Sequence, residues 1–233
     1  MRLFLCHLMI ALHLCNNIMP VNKEAYQQIK EELQLKNVTL VAVSKTKPIE
    51  DIQELYDLGQ RDFGENYVQE LTEKAEQLPK DIRWHFIGHL QSNKVKYIAP
   101  FIHLIHGVDS LKLLQEINKQ AQKNNRVIDC LLQVYIAKEE TKFGLDETEL
   151  DVIFSQFGDL EMKNTGVIGL MGMASFTDNM ETVRSEFRYL KTLFDKHSRL
   201  TTLSMGMSSD YKTAIEEGST LVRIGSLLFG SRN

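Results

Sequence analysis

The chain has 233 residues, 43% hydrophobic and 25% charged, with 27 Lys and Arg against 31 Asp and Glu for a net charge of -4. These proportions fit one large globular domain or two small ones with a sizeable core, and they exclude wholesale disorder. The acidic balance argues against a mainly electrostatic nucleic-acid binder, and 13 Gly with 4 Pro argue against a fibrous or linker-rich design.

Residues 1–18, MRLFLCHLMIALHLCNNI, are mostly apolar and carry one Arg and no acid. They resemble the apolar region of a signal peptide, but His7 and His13 interrupt the run and no A-x-A-like cleavage site follows. The segment is also too short and polar-flecked for a membrane span. The reading adopted is a mis-called upstream start or an unstructured leader; a targeting segment and an ordered extension are the alternatives. Cys6 and Cys15 fall within it, Cys130 lies in an apolar run, and no C-x-x-C occurs. A reducing, cytoplasmic setting is the simplest account.

From Met19 onward, β-branched runs alternate with helical-period stretches. A leading helix is predicted over 22–35. Strands follow near Val38–Ser44, Asp62–Glu65, Trp84–Ile87, His103–His106, Val127–Tyr135, Gly166–Met171, Thr202–Ser204 and Leu221–Ile224. Between them lie helical patterns at Ile49–Leu58, Tyr67–Leu78, Asn93–Ala99, Leu111–Lys123, Glu147–Gln156, Met180–His197 and Asp210–Glu217. Val38–Val43 is apolar at nearly every position, as in a parallel strand covered on both faces. The alternation predicts a single α/β domain over 19–233, a (β/α)8 TIM barrel with an N-terminal helix. An open doubly wound sheet is the rival.

In a barrel, chemistry sits at the carboxyl ends of the strands and phosphate commonly binds after strands seven and eight. Strand one ends Ser44-Lys45-Thr46-Lys47-Pro48. Period two puts Lys45 on the side of Thr39, Val41 and Val43. If that side is interior, Lys45 stands at the mouth above an apolar collar. Desolvation lowers a lysine pKa, and such an amine can form a Schiff base with an aldehyde. A solvated loop lysine is the plainer reading, and it is the one taken for Lys47. Strand seven runs into Met205-Gly206-Met207-Ser208-Ser209-Asp210, and strand eight into Gly225-Ser226. Glycine admits close backbone approach, the serines bring hydroxyls, and a helix start offers N–H groups. Ser209 or Asp210 could instead be only a helix cap. Two adjacent phosphate-like loops opposite a mouth lysine weigh more than either alone.

The segments Val-Ala-Val-Ser-Lys-Thr-Lys-Pro (41–48), Phe-Gly-Glu-Asn-Tyr-Val-Gln-Glu (63–70), Trp-His-Phe-Ile-Gly-His-Leu-Gln-Ser-Asn-Lys (84–94), Gly-Leu-Met-Gly-Met (169–173), Ser-Met-Gly-Met-Ser-Ser-Asp (204–210) and Arg-Ile-Gly-Ser-Leu-Leu-Phe-Gly (223–230) together resemble the pyridoxal phosphate homeostasis protein family. The resemblance implies a barrel similar to the amino-terminal domain of alanine racemase that binds pyridoxal 5′-phosphate. Lys45 would be the Schiff-base lysine, holding the cofactor as an aldimine. Ser208, Ser209, Gly225 and Ser226 would hold its phosphate, and Arg223 would face the pyridine nitrogen. Asn66 would lie near the ring, with Met171 and Met173 in the pocket wall. An arginine at the ring nitrogen keeps it unprotonated and makes the cofactor a poorer electron sink.

Alanine racemase-like enzymes take a second base from a separate domain that has no counterpart in this length, so the expected role is non-catalytic: intracellular homeostasis of the cofactor. An alanine racemase-like enzyme is the alternative. A third reading is a lyase or aldolase using Lys45, with Glu65 as the nearest acid or base, although Glu65 reads more simply as the partner of a basic neighbour. The expected partners are the cofactor and dependent client enzymes, with no nucleic acid and no membrane, in a monomer or weak dimer. His85 and His89 fall within a family motif, and His89 could simply hydrogen-bond a loop. A metal site from His85, His89, His103 and His106 is not expected, because no acidic or cysteine partner has suitable spacing. Lys138 and Lys142 are read as solvated loop residues.

Overall fold

The computed structural model describes residues 21–137, 144–157 and 162–230. The leader at 1–18, Lys138 and Lys142 lie outside them.

A helix α1 (Lys23–Leu35) precedes strand β1 (Thr39–Val43). Asn22 caps α1 by accepting the Ala25 N–H, and Tyr26, Ile29 and Leu33 form its buried stripe. There follow α2 (Ile49–Asp57), β2 (Asp62–Glu65), α3 (Val68–Gln77), β3 (Arg83–Phe86), α4 (Val95–Ile98), β4 (Leu104–Val108), α5 (Leu111–Lys123) and β5 (Ile128–Gln133). The chain continues through α6 (Glu147–Phe157), β6 (Thr165–Met171), α7 (Met180–Asp195), β7 (Thr202–Ser204), α8 (Tyr211–Glu216), β8 (Leu221–Ile224) and a short α9 (Ser226–Phe229).

The strands close in sequence order into a barrel of eight. β1 pairs in parallel with β8, with Val41 beside Arg223 and Ala42 beside Ile224. That pairing excludes the open-sheet rival. All predicted strands appear, with ends shifted by a residue or two, where helical and extended geometry fray into loops. Two helical expectations change. The stretch from Asn93 begins as a tight 3-10 turn at Ser92–Lys94 before α4, and α9 was not anticipated.

The alternation of each strand divides the core. Leu40, Ala42, Phe63, Trp84, Ile105, Leu203, Val222 and Ile224 pack outward against the helices. Val41, Leu104, Leu131, Met171 and Leu221 form a smaller apolar cluster within the barrel. The same inward parity carries Asp62, His85, His106, Ser204 and Arg223, all buried. The barrel interior is therefore partly polar. Among the described residues no helix is long and apolar enough to cross a membrane.

Candidate functional site

Lys45 follows β1, two residues past its last strand residue Val43, and is half-buried. The chain turns there. Lys47 N–H bonds Ser44 O at 3.0 Å, and Thr46 adopts φ 62°. A β-branched residue at positive φ is strained. The turn is held from outside the barrel, because Glu70 Oε1 accepts Thr46 N–H at 2.6 Å. Lys74 Nζ reaches the same Glu70 oxygen at 2.6 Å, Glu65 Oε1 at 2.8 Å and Ser44 O at 2.8 Å. Ser44 Oγ donates to Glu65 at 2.6 Å. Thus both residues flanking Lys45 are tied to one Glu65–Lys74–Glu70 cluster. Glu65 points outward with Phe63, beneath α3, and not into the mouth. Burial pushes its carboxyl up, while Lys74 pulls it back. The pairing reading of Glu65 holds, and its use as a mouth acid or base does not. The lysine of this cluster was missed in the sequence. Its position on the buried stripe of α3 was the available signal.

The closing β1–β8 pair sets Lys45 beside the eighth loop, not opposite it. A Cβ at Gly225 would lie 3.3 Å from Val43 O, so the two backbones nearly touch. Loops seven and eight are themselves joined: Gly225 N–H donates to Ser208 Oγ at 3.3 Å. Ser209 and Ser226 are exposed beside this contact. Gly206 makes the seventh loop possible. It has φ 96°, and a Cβ there would meet Ala214 Cβ at 2.6 Å. Asp210 is not a side-chain cap for α8; its carboxylate turns back to accept Met207 N–H at 2.6 Å.

Asn66, just past β2, is half-buried, and its buried Oδ1 has no partner among the described residues. Gly88 packs on it so closely that a Cβ would come within 2.6 Å of Asn66 O. Met171 is buried in the interior cluster and Met173 packs on it from above. Met173 also lines a cavity of about 350 Å³ at the mouth, with Met207, Ser209 and Asp210. A larger cavity, about 590 Å³, opens at the other end of the barrel and includes Asp62, Arg83, His85 and His103.

Arg223 lies inside the barrel below the mouth. Its Nη1 donates to Ser204 Oγ at 2.5 Å and its Nη2 to Gly172 O at 3.2 Å. Burial lowers its pKa to about 10, against the opposing pull of Asp210, so it stays cationic at neutral pH. The histidines divide. His89 is exposed and bonds Asp109 at 3.1 Å, the loop role considered for it. His85 and His106 lie within the barrel, joined at 2.9 Å.

Contrary to the expectation from spacing, an acid does reach the histidines. Asp62 arrives from the neighbouring strand, and potential donor atoms of Asp62, His85 and His103 lie within 4.8 Å of one another. Arg83, however, donates to Asp62 Oδ1 at 2.7 Å and also to Oδ2, placing a cation on both carboxylate oxygens. Sequence spacing could not show this, because the contact spans adjacent strands.

The family model for the alanine racemase N-terminal domain matches residues 23–233. The pyridoxal phosphate homeostasis protein of Aquifex aeolicus is 48% identical over 83% of this chain and 86% of its own length. The chain belongs to the pyridoxal phosphate homeostasis protein family. Its relative of the same description from Schizosaccharomyces pombe is 39% identical, over 88% of this chain and 89% of that one. Among solved structures, Synechococcus elongatus PipY, with PLP bound, superposes with TM-score 0.80 at 36% identity, covering 88% of this chain and 99% of that one. Alanine racemase from Bartonella henselae, at 16% identity and TM-score 0.66, shares the fold across 89% of this chain but only 59% of its own.

Proposed function

We propose that the chain binds pyridoxal 5′-phosphate at the carboxyl end of its barrel and serves the intracellular homeostasis of that cofactor as a carrier, not as an enzyme. The observation that carries this reading is the juxtaposition of Lys45 with two hydroxyl-bearing loops bonded to each other through Ser208 and Gly225. The PLP-bound relative supports it.

The residues present suit the cofactor. Ser208, Ser209, Gly225 and Ser226 offer hydroxyls and N–H groups to a phosphate, and Arg223 offers donors to a ring nitrogen. Asn66, just past β2, has a buried oxygen without a partner among the described residues, and Met171 and Met173 give the ring an apolar wall. When bound, the cofactor supplies an aldehyde that condenses reversibly with a primary amine, releasing water. Lys45 supplies that amine, and the Glu65–Lys74–Glu70 cluster holds the backbone on either side of it.

Two features favour carriage over catalysis. Arg223 can donate but not accept, so it holds the ring nitrogen unprotonated and withholds the electron sink that proton abstraction needs. Glu65, the acid or base that a lyase or aldolase would need, is committed to Lys74 outside the barrel. Borohydride reduction of the protein incubated with pyridoxal 5′-phosphate, followed by mass spectrometry, is expected to locate the adduct on Lys45. Lys45→Ala is expected to abolish both the adduct and the yellow absorbance. An adduct elsewhere, or none, overturns the binding reading. Lys45-dependent formation of D-alanine from L-alanine would instead establish the racemase alternative.

A further inference from the structure

A line of side chains crosses the barrel interior from the mouth to the amino end. Arg223 Nη1 bonds Ser204 Oγ at 2.5 Å, and Ser204 Oγ meets His106 Nδ1 at 3.1 Å. His106 Nε2 meets His85 Nδ1 at 2.9 Å, and His85 Nε2 meets Asp62 Oδ1 at 3.0 Å. Arg83 closes the line at Asp62. The five residues from Arg223 to Asp62 come from five strands, β8, β7, β4, β3 and β2, so only barrel closure assembles the line. Ser204, His106 and Arg223 are buried at 0%, 0% and 5% exposure, with His85 at 2%.

Hydrogen-bond chemistry gives this line a direction. A guanidinium only donates and an ionised carboxylate only accepts. With Asp62 accepting and one proton on each ring, His85 carries its proton on Nε2 and leaves Nδ1 bare. His106 Nε2–H then fills His85 Nδ1, leaving its own Nδ1 to accept the Ser204 proton. Ser204 Oγ accepts from Arg223. Every donor then points away from the mouth.

We propose that Ser204, His106 and His85 are positioning residues for Arg223: they connect its guanidinium to the Asp62–Arg83 ion pair at the opposite end of the barrel and so fix which of its N–H groups face the mouth. This rests on the reading that Arg223 meets the cofactor's ring nitrogen. Two of its five donors are committed to Ser204 and Gly172, so the ring meets the remainder in one orientation. Burial first, and then His85, Arg223 and His103, hold His106 well below the usual imidazole value. His85 faces Asp62, Arg83, His103 and His106; His106 faces His85 and feels Arg223 and His103; Arg223 feels Asp210.

The test has two arms. In cofactor-free protein, ¹⁵N NMR of the imidazoles near neutral pH is expected to show neutral rings protonated on Nε2 at both His85 and His106. An imidazolium at His85, or an Nδ1–H form at either ring, overturns the line, whatever the protein binds. In the second arm, protein loaded with pyridoxal 5′-phosphate is compared with Ser204→Ala and His106→Gln. Loss of a hydrogen bond to a charged group is expected to speed cofactor release roughly tenfold in Ser204→Ala. It is also expected to move the pH midpoint of the bound chromophore. His106→Gln, one link further from the mouth, is expected to shift that midpoint in the same direction and by less. If wild-type protein forms no Lys45 adduct, the binding reading fails while the NMR arm still decides the line. If the adduct forms but folded Ser204→Ala and His106→Gln match wild type in release and pH midpoint, the binding reading stands and the positioning role falls.

Discussion

Thr46 stands next to the lysine expected to hold the cofactor, in a conformation that threonine avoids. A left-handed backbone costs an L-residue about 1–2 kcal/mol, and β-branching adds to the crowding. The bond from Thr46 N–H to Glu70 holds it there. Two substitutions separate the roles of the side chain and the N–H. Thr46→Gly relieves the strain but gives the unfolded chain more freedom, a term of about 0.5–1 kcal/mol. Its urea midpoint is expected at or slightly above that of wild type. Thr46→Pro removes the donor and forbids positive φ, and is expected to lose about 3 kcal/mol or more. Equal midpoints for the two variants would show that neither the strain nor the Glu70 bond matters. The turn after Lys45 could be read in the sequence from Pro48 and the end of the apolar run. The strain could not, since it depends on a glutamate from α3.

That dependence makes β1, β2 and α3 one unit at the scale of elements. Lys74 is buried at 5% exposure between two carboxylates, Glu65 fully buried and Glu70 partly so, and it also holds the Ser44 carbonyl. Removing one member of a buried ion pair leaves an uncompensated charge, at about 3–5 kcal/mol. Lys74→Met is expected to lose that much in chemical denaturation. Lys74→Met combined with Glu65→Gln is expected to regain a sizeable part, because the orphaned charge goes too. If the double variant were as unstable as the single, the cost would come from packing and not from charge. The elements themselves were legible, because period-two and period-3.6 patterns survive in single segments of sequence. Their cross-links were not. Lys74 reads as an ordinary helix lysine until α3 is laid over β2, and Asp62 as a strand-edge acid until β3 brings Arg83 and His85 against it.

The barrel as a whole has an unusual interior. Layers of branched apolar side chains commonly fill this space. Here Val41, Leu104, Leu131, Met171 and Leu221 share it with a line of polar groups that ends in a cation near the mouth and an ion pair at the amino end. The inward parity of these polar residues was present in the sequence, but closure decides that they meet. Such an interior ties stability to pH. Burial works to raise the Asp62 carboxyl, yet the Arg83 and His85 bonds outweigh it and hold it down at about 2. A depressed carboxyl contributes stability above its unfolded pKa, near 4, and that contribution is lost as pH falls toward 2. The shift corresponds to roughly 2 kcal/mol. Glu65 acts in the opposite sense: burial raises its carboxyl, so protonation in acid favours the folded state. The two groups oppose each other in acid, so the contribution of Asp62 is isolated by substitution. In urea unfolding at steps from pH 6 to pH 2, the difference between wild type and Asp62→Asn is expected to be largest above pH 4 and to shrink toward zero near pH 2. A difference that stayed constant across that range would mean that Asp62 stabilises the barrel by shape and hydrogen bonding alone, with no contribution from its charge.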